Sequence, residues 1–99
     1  MGINVTDYNE IKDQVLTIDV RTVLEVKTLA KLDWAVNYEM NYLHSNYEEI
    51  LKNHENKKII TVCNAGNRSS QAAQFLREKG YDADYLDGGI YRYMKIFKK

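Results

Sequence analysis

Apolar residues along the chain fall into two rhythms. Short, nearly continuous apolar runs come first: Val15-Leu16-Thr17-Ile18, which stops at Asp19, and Ile59-Ile60-Thr61-Val62, which stops at Cys63. Runs this short and this rich in β-branched residues predict buried strands. The segment Tyr81 to Leu86, with Ala83, Tyr85 and Leu86 apolar, predicts another, and Ile3 to Val5 and Ala35 to Tyr38 predict two weaker ones. The second rhythm is helical. Leu43, Tyr47, Ile50 and Leu51 share one face of Tyr42 to Asn53. Ala72, Ala73 and Leu76 share one face of Ser69 to Lys79, and Gly80 follows where a left-handed cap residue belongs. Thr6 reads as the cap of a helix from Asp7 to Asp13, Thr22 to Lys31 as a short helix, and Ile90 to Phe97 as the last one. Strand alternating with helix predicts an α/β architecture in three layers: a mostly parallel central sheet of about five strands with helices on both faces.

Composition narrows the function classes. At 99 residues there is room for one core, hence one domain over 1–99. The chain has no proline and only five glycines, and shows no repeat and no linker. Fourteen cationic and fourteen acidic side chains cancel, which argues against nucleic acid or an anionic membrane as partner. No apolar run approaches the roughly 18 residues of a spanning helix. The start, Met1-Gly2-Ile3-Asn4-Val5, shows no cationic stretch before an apolar one, so no secretion leader is expected. One cysteine excludes an internal disulfide and a CxxC pair, and fits a reducing cytoplasm.

The candidate chemistry lies after the strongest strand. In an open parallel sheet, ligands meet the carboxyl ends of the strands. Cys63 stands at such an end, before the loop Asn64-Ala65-Gly66-Asn67-Arg68 and a helix opening at Ser69. Successive backbone amides from Asn64 to Ser69 can form an anion-binding nest, to which a helix N-terminus and Arg68 add positive potential. A thiol in that field ionises below its free value of about 8.5, and the thiolate is the nucleophile. Gly66 permits positive φ and leaves room for a ligand atom near the backbone.

Three segments in order then resemble a family. They are Thr17-Ile18-Asp19-Val20-Arg21-Thr22 with Glu25, then Ile60-Thr61-Val62-Cys63-Asn64-Ala65-Gly66-Asn67-Arg68-Ser69-Ser70, then Gly80-Tyr81 with Leu86-Asp87-Gly88-Gly89-Ile90. Together they resemble a single-domain rhodanese over essentially the whole chain. The resemblance implies a sulfurtransferase. Cys63 would carry sulfane sulfur as a persulfide, taken from a donor such as thiosulfate and passed to a low-molecular-weight or protein thiol. The loop Asn64 to Arg68 would hold the persulfide and the donor's oxygens, with Arg68 and Ser69 closing it. Neither a metal nor an organic cofactor is implied. Phosphatase and arsenate-reductase members of this fold have five residues between cysteine and arginine, whereas four separate Cys63 from Arg68, which ranks sulfur transfer above phosphoryl transfer. A binding or redox-sensing module without catalysis is the other alternative. The chain departs from the family at Ala30-Lys31-Leu32-Asp33-Trp34-Ala35 and at Tyr93, which takes the place of a tryptophan.

The remaining residues have plainer expectations. Asp19 and Arg21 read as structural, Asp19 accepting loop amides and Arg21 pairing with Glu25. Gly88-Gly89 reads as turn geometry alone. His44 and His54 read as helix-surface residues, with no cluster of metal ligands around them. Tyr91, Tyr93 and Phe97 beside Arg92, Lys95, Lys98 and Lys99 read as a helix with one packed face and a basic tail.

Overall fold

A computed structural model describes residues 2–97; Lys98 and Lys99 of the expected basic tail lie outside the described residues. The architecture is α/β, with four parallel strands among the described residues rather than about five. The order along the chain is α1 (Val5–Ile11), a 3-10 turn (Lys12–Gln14), β1 (Leu16–Asp19), α2 (Val23–Thr28), β2 (Val36–Asn37), α3 (Met40–Leu51), β3 (Ile59–Val62), α4 (Asn67–Glu78), β4 (Ala83–Tyr85) and α5 (Gly89–Phe97). In space the strands run β2-β1-β3-β4, with Thr17 opposite Ile60 and Ile60 opposite Asp84.

The continuous apolar run of β3 has a direct cause: all four of its residues are buried, because helices cover both faces. Side chains alternate across it. Ile59 and Cys63 fall in one core cluster with Leu43, Ala72 and Leu76 from α3 and α4. Ile60 and Val62 fall in the other, with Val5, Tyr8, Ile90 and Tyr93 from α1 and α5. Strand parity therefore puts Cys63 on the α4 side of the sheet.

The expected N-terminal strand reduces to one parallel bridge, Ile3 to Leu86. Asn4 is the reason. Its side chain accepts the Asp7 amide at 2.8 Å and caps a helix that begins at Val5, so Asn4 rather than Thr6 is the cap. The helix expected from Thr22 is capped by Thr22 and ends at Thr28. In α3, Asn46 leaves helical geometry at φ −132°, and its side chain donates to the Tyr42 carbonyl.

His44 is half-buried rather than a surface residue, its Nδ1 2.8 Å from the Met40 carbonyl and its ring against Phe75. His54 follows α3 instead of belonging to it. The altered segment around Trp34 has a packing role. The Trp34 indole stands edge-on to buried Tyr93 and donates to the Tyr8 hydroxyl at 2.7 Å, while Tyr8 reaches Thr17 Oγ1 at 2.6 Å. Among the described residues, no helix is long and apolar enough to cross a membrane.

Candidate active site

Cys63 is the first residue after β3 and is 2% exposed. Its surroundings are set from two directions. On one side, the first turn of α5 takes the loop's carbonyls: the Ile90 amide donates to Cys63 O at 2.9 Å and the Tyr91 amide to Asn64 O at 3.1 Å. A trans peptide points its N–H opposite its C=O, so fixing Asn64 O toward α5 turns the Ala65 amide the other way, toward the sulfur. On the other side, the Gly66 amide donates to Cys63 Sγ at 3.1 Å, and Ser69 Oγ stands 3.4 Å from Sγ. Gly66 has φ +118°, the left-handed region that the turn into α4 requires.

These contacts compete over the thiol's charge. Burial pushes the Cys63 thiol up. The Ser69 hydroxyl and the amides of Ser69, Gly66 and Ala65 stabilise the thiolate and outweigh burial, so the thiol ionises below its ordinary value.

A chain of polar contacts ties this loop to the end of β1. Arg21 is fully buried, and its guanidinium grips Asp19 through Nε at 3.0 Å and Nη2 at 2.8 Å. Arg21 Nη1 donates to Asn64 Oδ1 at 2.7 Å, and Asn64 Nδ2 donates to Glu25 Oε2 at 3.2 Å. Arg68 closes the chain with a two-pronged contact to Glu25 at 2.8 and 2.9 Å. The Arg68 guanidinium, helped by the Thr22 amide, pulls the Glu25 carboxyl down to about 2. Thr22 and Glu25 also cap α2 reciprocally.

Several expectations change. Arg21 pairs with Asp19 and Asn64 rather than with Glu25, because it precedes the α2 cap and folds back over β1. Asp19 accepts the Arg21 amide at 3.0 Å, two residues on, and the guanidinium takes the rest of its carboxylate. The Asn64 side chain is spent on Arg21 and Glu25, and Ala65 and Asn67 are exposed. The cradle is thus backbone plus the Ser69 hydroxyl, and Arg68 is engaged by Glu25. Gly88-Gly89 is more than a turn: a Cβ on Gly89 would lie 2.4 Å from Asn64 O. Only a residue without a side chain lets α5 approach close enough to hold the two loop carbonyls. Sequence reading missed that role of the Ile90 and Tyr91 amides, although adjacent glycines before a helix are a signal for close backbone approach. Among the described residues no three His, Cys, Asp or Glu side chains gather as metal ligands.

A cysteine at the end of a central parallel strand, ringed by amides at the mouth of a helix, defines an α/β protein of the cysteine-loop class. The chain belongs to the rhodanese-like domain family, whose sequence profile matches residues 5–95. It is 33% identical over 85 residues to a tRNA uridine(34) hydroxylase of Cytophaga hutchinsonii, covering 83% of this chain and 27% of that protein. The chain therefore spans about a quarter of the length of that curated relative. Among solved structures, a rhodanese-related protein from Thermoplasma volcanium superposes with TM-score 0.88 at 26% identity, covering 99% of this chain and 94% of that one. An NAD-dependent persulfide reductase from A. fulgidus superposes with TM-score 0.70 at 29% identity, covering 91% of this chain and 15% of that one.

Proposed function

We propose that this protein is a sulfurtransferase that carries sulfane sulfur as a persulfide on Cys63. The observation that carries the reading is the Gly66 amide aimed at Sγ from 3.1 Å, with the Ser69 hydroxyl beside it. Donors converging on a sulfur atom stabilise a thiolate before reaction and a persulfide anion after it. The Cys63 thiolate attacks the outer sulfur of a donor such as thiosulfate. A new S–S bond forms at Cys63, the donor's own S–S bond breaks with its electron pair, and sulfite leaves. An acceptor thiolate, from a small thiol or a protein, then attacks the outer sulfur and returns Cys63 to the thiolate. No cofactor enters either step, and a free thiol carrier suits a reducing compartment such as the cytoplasm.

One feature favours sulfur over phosphorus: the four residues between Cys63 and Arg68 make a small cradle. Intact-mass measurement after thiosulfate exposure tests the reading. One sulfur, about 32 Da, is expected on the protein and not on Cys63→Ser, as nucleophilic sulfur chemistry requires. No gain with thiosulfate or with inorganic polysulfide overturns it.

A further inference from the structure

The four arginines divide unequally. Arg21 is bound to Asp19 and Asn64, Arg68 to Glu25, and Arg77 to the Ala83 carbonyl and the Asp84 carboxylate. Arg92 is the exception: among the described residues no acceptor meets its guanidinium. It also stands where helix physics disfavours it. Arg92 lies in the first turn of α5, at the positive end of the helix dipole, with no acidic residue in that turn. No local structural gain explains a cation there.

Its direction is informative. A Cβ built on Gly88 would meet Arg92 Cβ, Cδ and Nε at 2.6–2.8 Å. The Arg92 stem therefore lies back across Gly88, in the space that a side chain would fill. Gly88 also borders the cysteine loop, its amide nitrogen 3.8 Å from the position of a Gly66 Cβ. The exposed side chain thus passes over a residue that borders the cysteine loop. A groove of about 620 Å³ begins at that residue and is lined by Gly88, Tyr91, Arg92, Met94 and Lys95. From Gly88 to Lys95 it runs about 10 Å at a helical rise of about 1.5 Å per residue. Tyr91 and Met94 supply apolar walls, while Arg92 and Lys95 supply charge.

We infer that this groove on α5 binds an anionic low-molecular-weight thiol, with Arg92 and Lys95 holding an oxyanion group of its body while its sulfur enters the loop at Cys63. The inference rests on the sulfur-transfer reading and names the acceptor class for it. Charge complementarity selects the occupant: two cations without an acidic partner among the described residues, one a planar fork suited to carboxylate or phosphate, line a groove too long for thiosulfate alone. No new chemistry is involved. The acceptor thiolate takes the outer sulfur of the Cys63 persulfide, and the ion pairs with Arg92 and Lys95 hold it in line.

The test has two arms. In the first, persulfidated protein is discharged by glutathione, which carries carboxylates, by coenzyme A, which carries phosphates, and by cationic cysteamine. Arg92→Glu is expected to lower the rate ratio of an anionic thiol to cysteamine by about tenfold or more, the worth of a charge-assisted contact. Lys95→Glu should lower it less. Whichever anionic thiol shows the dependence names the oxyanion. In the second arm, S-methylglutathione and S-methyl coenzyme A are titrated onto the unmodified protein by NMR. Shifts on α5 that weaken in Arg92→Glu are expected, and this arm needs no persulfide. Ratios unchanged by Arg92→Glu, or shifts absent for both probes, overturn the groove. A wild-type protein that gains no sulfur, yet binds a probe through Arg92, overturns the carrier reading and leaves the groove standing.

Discussion

Two arginines flank the cysteine loop, and they are held in opposite ways. Arg21 is fully buried against an Asp19 side chain that is 3% exposed, and its remaining donor goes to the Asn64 side chain. Arg68 is 39% exposed and faces a Glu25 that is 26% exposed. A buried ion has no water to fall back on, so Arg21 tolerates only the geometry in which Asp19 and Asn64 surround it. An exposed pair shares its charge with solvent and separates at little cost. The buried pair therefore fixes where the loop begins. The exposed pair is a latch over the start of α4.

The largest test of that contrast is Arg21→Ala, which strands the buried Asp19 carboxylate and should cost about 3–5 kcal/mol in urea unfolding. Near-wild-type stability would break the comparison. Ser69→Ala acts next to the sulfur and comes second. Loss of a buried hydroxyl between Sγ and the Gly66 carbonyl should cost about 1–3 kcal/mol. It should also raise the pH midpoint of Cys63 alkylation, which in the wild type is expected below the free-thiol value of about 8.5.

Thr22→Ala removes the reciprocal cap of α2 and should cost about 1 kcal/mol. Because Thr22 also steadies Glu25, its effect sharpens how far the latch depends on α2. Arg68→Ala is expected to cost less than about 1 kcal/mol, and salt should shrink the difference further. A cost as large as that of Arg21→Ala would show that the two pairs do the same work.

The smallest effect is the pH dependence of the latch. Glu25 sits at about 2 in the folded protein against 4.5 as its ordinary value. Between those values the unfolded chain binds the extra proton, so folding stability falls as the pH drops. The contribution is complete above about 4.5 and disappears as the pH falls through about 2. Acid titration of unfolding should show a shallower loss in Arg68→Ala than in the wild type.

The outcome at individual residues shows where sequence reading has purchase. The strand Ile59–Val62 was legible because a continuous β-branched run between charged and loop residues has few other uses. The loop cysteine was legible because that strand had to end at it. The strand expected at Ile3 to Val5 was cut short by Asn4, whose short side chain captured the Asp7 amide and started a helix. The pairing of Arg21 with Glu25 looked natural at a spacing of four. It failed because Arg21 lies before the helix cap, where that spacing no longer brings side chains together.

The amino-acid order alone determined the alternation of strand and helix, the covering of the sheet on both faces, and the place of one thiol at a strand end. These follow from hydrophobic period and local turn chemistry, which act between near neighbours. Tertiary structure decided which groups meet at the loop: Glu25 with Arg68, Arg21 with Asn64, and the α5 amides with the carbonyls of Cys63 and Asn64. Those partners lie tens of residues apart. They come together only once β1 and β3 pair in register and α5 packs down on glycine, so no spacing along the chain could announce them.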